Sequence, residues 1–312
     1  MMRLSDAVQG LSGRLVSDGA FSCIAYATER EQENFLTFFE KAKFASALEN
    51  PNISCILTRE ELLEHIPPHI QGVFVCDAPR TQMFALHEKL AQDPAYVGES
   101  FPTRVGKDCS ISPLAAIDAQ NVTIGDRVTI EPFVQIKGRV TIGNDVVIRA
   151  GAVVGGKGFS FAQNAAGENV SVTDTARIVL EDGVELFEQA CISTGIFPWE
   201  KTVIGANTKL DTKAFVGHGS HVGKNSLIVA GACICGNCRI GDNVWIGPGA
   251  IVSNRMTVGD RARVSLGAVV TRPVPGGMTV SGNFAIEHKM FLHNLKKSIE
   301  EYDEYEHEST TH

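Results

Sequence analysis

The sequence predicts a mainly β protein, a parallel β-helix of six-residue turns with a small α/β domain before it and one helix after it. Two observations carry this. From Ile204 an aliphatic residue recurs at every sixth position without a miss, through Leu210, Val216, Val222 and Ile228 to Val264 and Val270. The chain also holds 30 glycines but only 7% aromatic residues, a balance that suits short strands and tight corners better than a layered domain.

The same period runs upstream. Leu180, Leu186 and Ile192 hold the register, with Pro198 expected to fill the next step. An earlier block runs Ile124, Ile130, Ile136, Ile142, Ile148 and Val154, preceded by Val105, Ile111 and Ile117. A helix would repeat near 3.6 and an open strand at two, so neither explains a period of six. One short strand plus one corner does. Three such units close a triangular coil, placing residues about 18 apart in a stack spaced by roughly 4.8 Å. The aliphatic side chain points inward, and Gly, Asn and Asp supply corners where positive φ is tolerated.

Residues 105–282 are therefore assigned to the β-helix. Within them, residues 155–179 lose the period and read as a loop leaving the prism, a length usually tied to function. Residues 193–203, STGIFPWEKTV, are a smaller departure that carries Trp199. Residues 1–104 form the α/β domain: Phe35, Phe38, Phe39 and Phe44 crowd one segment, residues 53–57 and 72–78 read as buried strands, and 81–92 has helical spacing. Residues 283–312 give an amphipathic helix, with Phe291, Leu295 and Ile299 at helical spacing, and an acidic tail.

Composition excludes several classes. A formal charge of −8 opposes general nucleic-acid binding, which needs clustered Lys and Arg. No apolar stretch reaches the roughly 18 residues of a membrane span, and the first residues lack a secretory core, so a cytoplasmic location is expected. Eight cysteines are then expected as reduced, mostly buried thiols. Cys233, Cys235 and Cys238 lack a second ligand pair at zinc spacing, and no metal is expected.

The order of parts, together with LTFFEKAKFASAL at 36–48, GGKGFSFA at 155–162 and FVGHGSHVG at 215–223, resembles the UDP-3-O-acylglucosamine N-acyltransferase family of lipid A synthesis. The likeness runs from about Leu4 to Tyr302. It implies a left-handed coil, a homotrimer, and transfer of an acyl group from an acyl carrier protein thioester to the amine of a UDP-linked sugar, with no cofactor. It implies that Phe38 and Phe44 hold the uracil, with Lys41, Asp211 and His221 as further substrate contacts and Arg255 in the donor groove. His218 matches the catalytic base, and an imidazole near pKa 6.5 can take the amine's proton at neutral pH.

Stacking adds two candidates. Gly236 lies one coil above His218, at the superfamily's oxyanion donor, and Glu200 lies one coil below, where it could orient the imidazole. The chain departs from the family at Ser193-Thr194-Gly195, where Asp-Arg-Gly is usual, at Arg255 for a His, and at Lys157 for an Asp. A close alternative is an acyl-CoA-dependent N-acyltransferase of another nucleotide amino sugar. A zinc hydratase of the γ-carbonic-anhydrase type would need three converging histidines, whereas the main repeat holds His218 and His221. A non-catalytic scaffold would leave a nucleotide-binding domain without a purpose.

Overall fold

The computed structural model describes residues 1–163, 167–282 and 284–309, the side chains of 302–309 excepted. Its body is a three-faced prism. Strands of two to four residues are dealt in turn to three parallel sheets of eight, eight and nine strands, each strand pairing with its counterpart one coil away. Partners such as Val216 and Ile234, or Ile234 and Val252, are 18 residues apart. The aliphatic series faces inward, and every member from Ile124 to Val270 is buried.

A second buried row escaped the period analysis. The residue two places before each inward aliphatic is also enclosed and is usually small, as with Ala214, Ser220, Ser226, Ala232 and Cys238. The hydroxyls among them stitch coils together. Ser220 Oγ donates to the Cys235 carbonyl at 2.9 Å and accepts from Cys238 N–H at 3.0 Å. Ser226 does the same one corner on, toward the Gly241 carbonyl and Val244 N–H. A buried hydroxyl is tolerated here because both of its hydrogen-bonding functions are used.

The small domain is a mixed five-stranded sheet in the order Arg14–Ser17, Gly72–Val75, Ile53–Thr58, Phe35–Phe39 and Cys23–Ile24. Only the first pairing is antiparallel. The expected helix spans Pro79–Leu90, with Met83, Phe84, Leu86 and Leu90 buried.

The two departures from the period are where this domain docks. Val147 pairs with Glu185 across the long loop, so about two dozen residues leave the prism between consecutive coils. Part of that loop is a hairpin of Phe161–Gln163 and Asn169–Ser171. Thr173 in its return limb is bound through its N–H and Oγ1 to the Glu88 carboxylate, at 2.6 and 2.7 Å. Its carbonyl accepts from His87 Nε2 at 2.9 Å. In the second departure Arg177 pairs with Lys201, 24 residues on, so Pro198 does not fill a step of the prism as the period suggested. The extra residues carry Phe197 and Trp199 out to the small domain. Phe197 is enclosed by Tyr26, His87 and Trp199, and Trp199 Nε1 donates to the Ile24 carbonyl at 2.8 Å.

At the C-terminus the helix runs His288–Ser309, so it begins later than its apolar pattern implied and continues through the expected acidic tail. Phe284 and Ile286 precede it. Phe291, Leu295 and Ile299 are exposed on it. The side chains of Tyr302, Asp303, Glu304, Glu306 and Glu308 lie outside the described residues.

Phe197→Ala should cost about 3–5 kcal/mol, as for other buried aromatics. Hydrogen exchange should rise first in Pro79–Leu90 and in the return limb of the long loop. Unchanged protection there would show that the docking does not depend on this ring.

Candidate active site

His218 sits at a prism corner whose backbone is held on three sides. Gly217 N–H donates to the Ile234 carbonyl at 2.7 Å, Gly219 N–H to Thr202 Oγ1 at 2.9 Å, and the His218 carbonyl accepts from Asn237 N–H at 2.7 Å. Gly219 has φ +65°, and a side chain there would strike Asn237 Oδ1. This corner needs glycine on both counts.

The imidazole leaves the prism and lies over Gly236. A methyl group at Gly236 would stand 2.6 Å from His218 Nε2, so only glycine leaves room for the ring. His218 Nδ1 is buried and has no hydrogen-bond partner among the described residues. Burial, and after it the Arg255 guanidinium, holds the imidazole below its ordinary pKa. The ring is therefore neutral at physiological pH and able to accept a proton.

A cavity of about 550 Å³ opens beside this corner. One wall is the small domain's segment from Tyr26 to Gln32, and the other includes Gly219, His221, Asn237, Arg239 and Arg255. Glu200 and Trp199 line it from the second departure. Three residues singled out in the sequence, Glu200, His221 and Arg255, thus meet in one space next to His218. The segment Tyr26–Gln32 was not foreseen, since it carries no period and no motif. His221 Nε2 donates to the Lys201 carbonyl at 3.1 Å, and its imidazole is lowered by burial and then by Arg239.

Glu200 does not sit as expected for a residue that orients His218. Its Oε2 accepts from Phe197 N–H at 3.1 Å, closing the turn that carries Phe197, and no hydrogen bond joins it to His218 among the described residues. A methyl at Gly195 would come within 2.5 Å of that same oxygen, which accounts for the glycine after Ser193 and Thr194. Burial pushes the Glu200 carboxyl up to about 7.

The other candidates lie elsewhere. Asp211 has its two oxygens taken by Thr212 N–H at 2.7 Å and Ala230 N–H at 3.1 Å, so it ties one corner to the next. Phe38 is half-buried and meets Tyr26 edge to face at 6.5 Å. Phe44 is 56% exposed, with Lys43 Nζ 5.1 Å from its ring centre, and Lys41 is exposed just before it. Phe44 is therefore not a core residue. Lys157, which replaces an acidic residue of the family, lies near Asp174, whose carboxyl burial pushes up to about 6. Among the described residues no three His, Cys, Asp or Glu side chains gather as a metal site. Cys233 instead belongs to an outward apolar column with Cys191, Phe215, Ile251 and Val269.

A three-faced prism of six-residue turns, with a lone imidazole at one corner, defines the left-handed β-helix fold of the hexapeptide transferases. Residues 121–156 match the family described as bacterial transferase hexapeptide (six repeats). The resemblance read from the sequence is also met in whole-chain comparison. The chain is 27% identical over 221 residues to a UDP-3-O-acylglucosamine N-acyltransferase of Coxiella burnetii (strain Dugway 5J108-111), covering 63% of each chain. It is 26% identical over 252 residues to the enzyme of that name from Herminiimonas arsenicoxydans, covering 71% of this chain and 70% of that one. The chain thus spans less than two thirds of the length of the first of these relatives. The solved Arabidopsis UDP-N-acetylglucosamine acyltransferase matches at 21% identity and a TM-score of 0.49, over 58% of this chain and 67% of that one.

Arg255 disfavours the imidazolium, so Arg255→Ala should move the His218 titration midpoint upward, toward about 6.5. NMR of the imidazole C–H resonances reads this directly. A midpoint that stays or falls would remove Arg255 from the base's surroundings.

Proposed function

We propose that the protein is an N-acyltransferase that moves an acyl group from a thioester to the amine of a UDP-linked amino sugar. The observation that carries this reading is the neutral His218 imidazole packed on the Gly236 backbone at the edge of a cavity. The amine nitrogen attacks the thioester carbonyl carbon and His218 takes the nitrogen's proton. The Gly236 N–H, which donates to no group among the described residues, receives the charge developing on the carbonyl oxygen. Collapse breaks the carbon–sulfur bond, and the proton passes from His218 to the departing thiolate. The products are an amide and a free thiol.

The curated relatives support a UDP-sugar acceptor by their names. Phe44 supports it by its position, since an exposed aromatic face on the small domain can stack on a base. A homotrimer in the cytoplasm is part of the proposal. The apolar column through Phe215, Cys233, Ile251 and Val269 runs beside the His218 corner, and Ile251 and Val269 are exposed in the single chain. A neighbouring copy packed there would cover the column, as closed three-fold symmetry allows.

The donor is a thioester, with acyl carrier protein as the first reading. One observation favours acyl-CoA as the second. Lys296 and Lys297, cations that an acidic carrier could meet, lie 3.7 and 3.8 Å from Glu300 and Glu301 on their own helix.

His218→Ala should lower kcat by about 10²–10⁴-fold, the usual worth of a general base. Assembly state by light scattering should not change. The assay pairs UDP-amino sugars with acyl carrier protein thioester or acyl-CoA, and near-normal turnover by the variant would end the assignment of His218 as base.

Phe44→Ala tests the acceptor. It should weaken UMP binding by about 1–3 kcal/mol, the worth of one base stacked on an aromatic ring, with little change in melting temperature. Unchanged UMP affinity would place the uridine elsewhere.

A further inference from the structure

The cavity beside His218 is electrically polarised. Its buried carboxyl is Glu200, only 7% exposed, while Arg30, Lys201, Arg239 and Arg255 are all exposed along its walls. None of the four cations lies within 4.0 Å of a carboxylate oxygen among the described residues. Arg239 spends one nitrogen on the Gly219 carbonyl at 2.9 Å, and Arg30, Lys201 and Arg255 have no side-chain hydrogen bond. The nearby acids do not neutralise them. Glu29 Oε1 accepts from the N–H groups of Arg30 and Glu31, and Glu31 is the one exposed carboxylate left on that wall.

Glu200 is equally short of a partner. A single backbone N–H at 3.1 Å does not balance a buried carboxylate, which burial accordingly holds toward its neutral form. A cation placed in the cavity would restore it. A ligand that satisfies both ends must carry positive charge inside and negative charge at the mouth, and a volume of about 550 Å³ is within the common range for ligand pockets.

We propose that this cavity seats an aminohexose phosphate ester, its ammonium on Glu200 and its phosphates among Arg30, Lys201, Arg239 and Arg255. The proposal rests on the reading of the acceptor as a nucleotide amino sugar, and makes Glu200 the residue that selects an amine over a hydroxyl. Glu200 adjoins the corner of His218, since Gly219 lines the same space, so the selected nitrogen is delivered beside the base. Arg255 then serves the acceptor's phosphates as well as tuning His218. This differs from the donor groove that the resemblance assigns it.

The test is binding of UDP-glucosamine and UDP-glucose to the full chain by calorimetry. The two probes differ only in the amine. The unmodified protein should prefer UDP-glucosamine by at least about tenfold, as a charge-assisted hydrogen bond warrants. Glu200→Gln, which keeps an oxygen for Phe197 N–H, should bring the ratio near one and leave UDP-glucose affinity unchanged. Lys201→Ala with Arg255→Ala should weaken both probes by the same factor. Equal binding by the unmodified protein, a ratio that survives Glu200→Gln, or binding of neither probe would each overturn the proposal. Acyl transfer is scored separately. A protein that discriminates the probes but acylates nothing would refute the transferase reading and leave the site standing.

Discussion

The backbone ladder between coils is the constraint on which everything else depends. Each strand contributes only two to four residues, too few to be stable alone, and pairs with the coils above and below at a separation of 18. A parallel ladder at fixed register leaves no freedom in which side chain points inward. Each coil therefore needs three inward aliphatics, and the small residue two places earlier must fit the corner behind them. One inserted residue within a coil would turn the next strand's core side chain to the outside. Insertions are tolerated only as whole departures, and the chain has two.

Those departures do the fold's second job. A prism of uniform coils has equivalent corners and no reason to bind anything at one of them. The segments after Gly156 and Ser193 break that equivalence by reaching out to the Pro79–Leu90 helix and the small sheet. Phe197, Trp199 and Thr173 fix the small domain against the prism, which brings Tyr26–Gln32 over the corner where His218 projects. The cavity is a product of docking, and neither part contains it alone. The same turn sets Glu200, because the carboxyl that lines the cavity also closes the loop carrying Phe197.

How far the sequence could be read follows from this division. The prism was legible because its constraint repeats: Ile204 through Val270 face inward as the six-residue spacing requires. His218 and Gly236 were placed together by the same arithmetic, and the ring lies against that glycine. The arithmetic fails where the coil length changes. Arg177 and Lys201 are 24 apart, so the simple count of one coil below His218 says little about where the Glu200 side chain turns. Pro198 was misread for the same reason. Asp211 looked like a substrate contact, but corner acids bind the N–H groups of the next turn, and nothing local distinguishes the two uses. The Tyr26–Gln32 wall was invisible, since its role depends on contacts more than 150 residues away in the chain, as the bond from Trp199 to Ile24 illustrates.

The electrostatics at the corner also follow from the fold. A base that must accept a proton at neutral pH needs to be neutral beforehand, and enclosure of His218 provides this without a dedicated partner. Enclosure also leaves Nδ1 without a hydrogen bond, a cost normally avoided for a buried polar atom. A carboxylate beside the ring would satisfy that nitrogen but would raise the pKa, making the imidazolium the resting form. Arg255 pushes the opposite way. The corner thus holds the imidazole ready at the expense of local stability, which is a reasonable arrangement if the missing contact is supplied by what binds there.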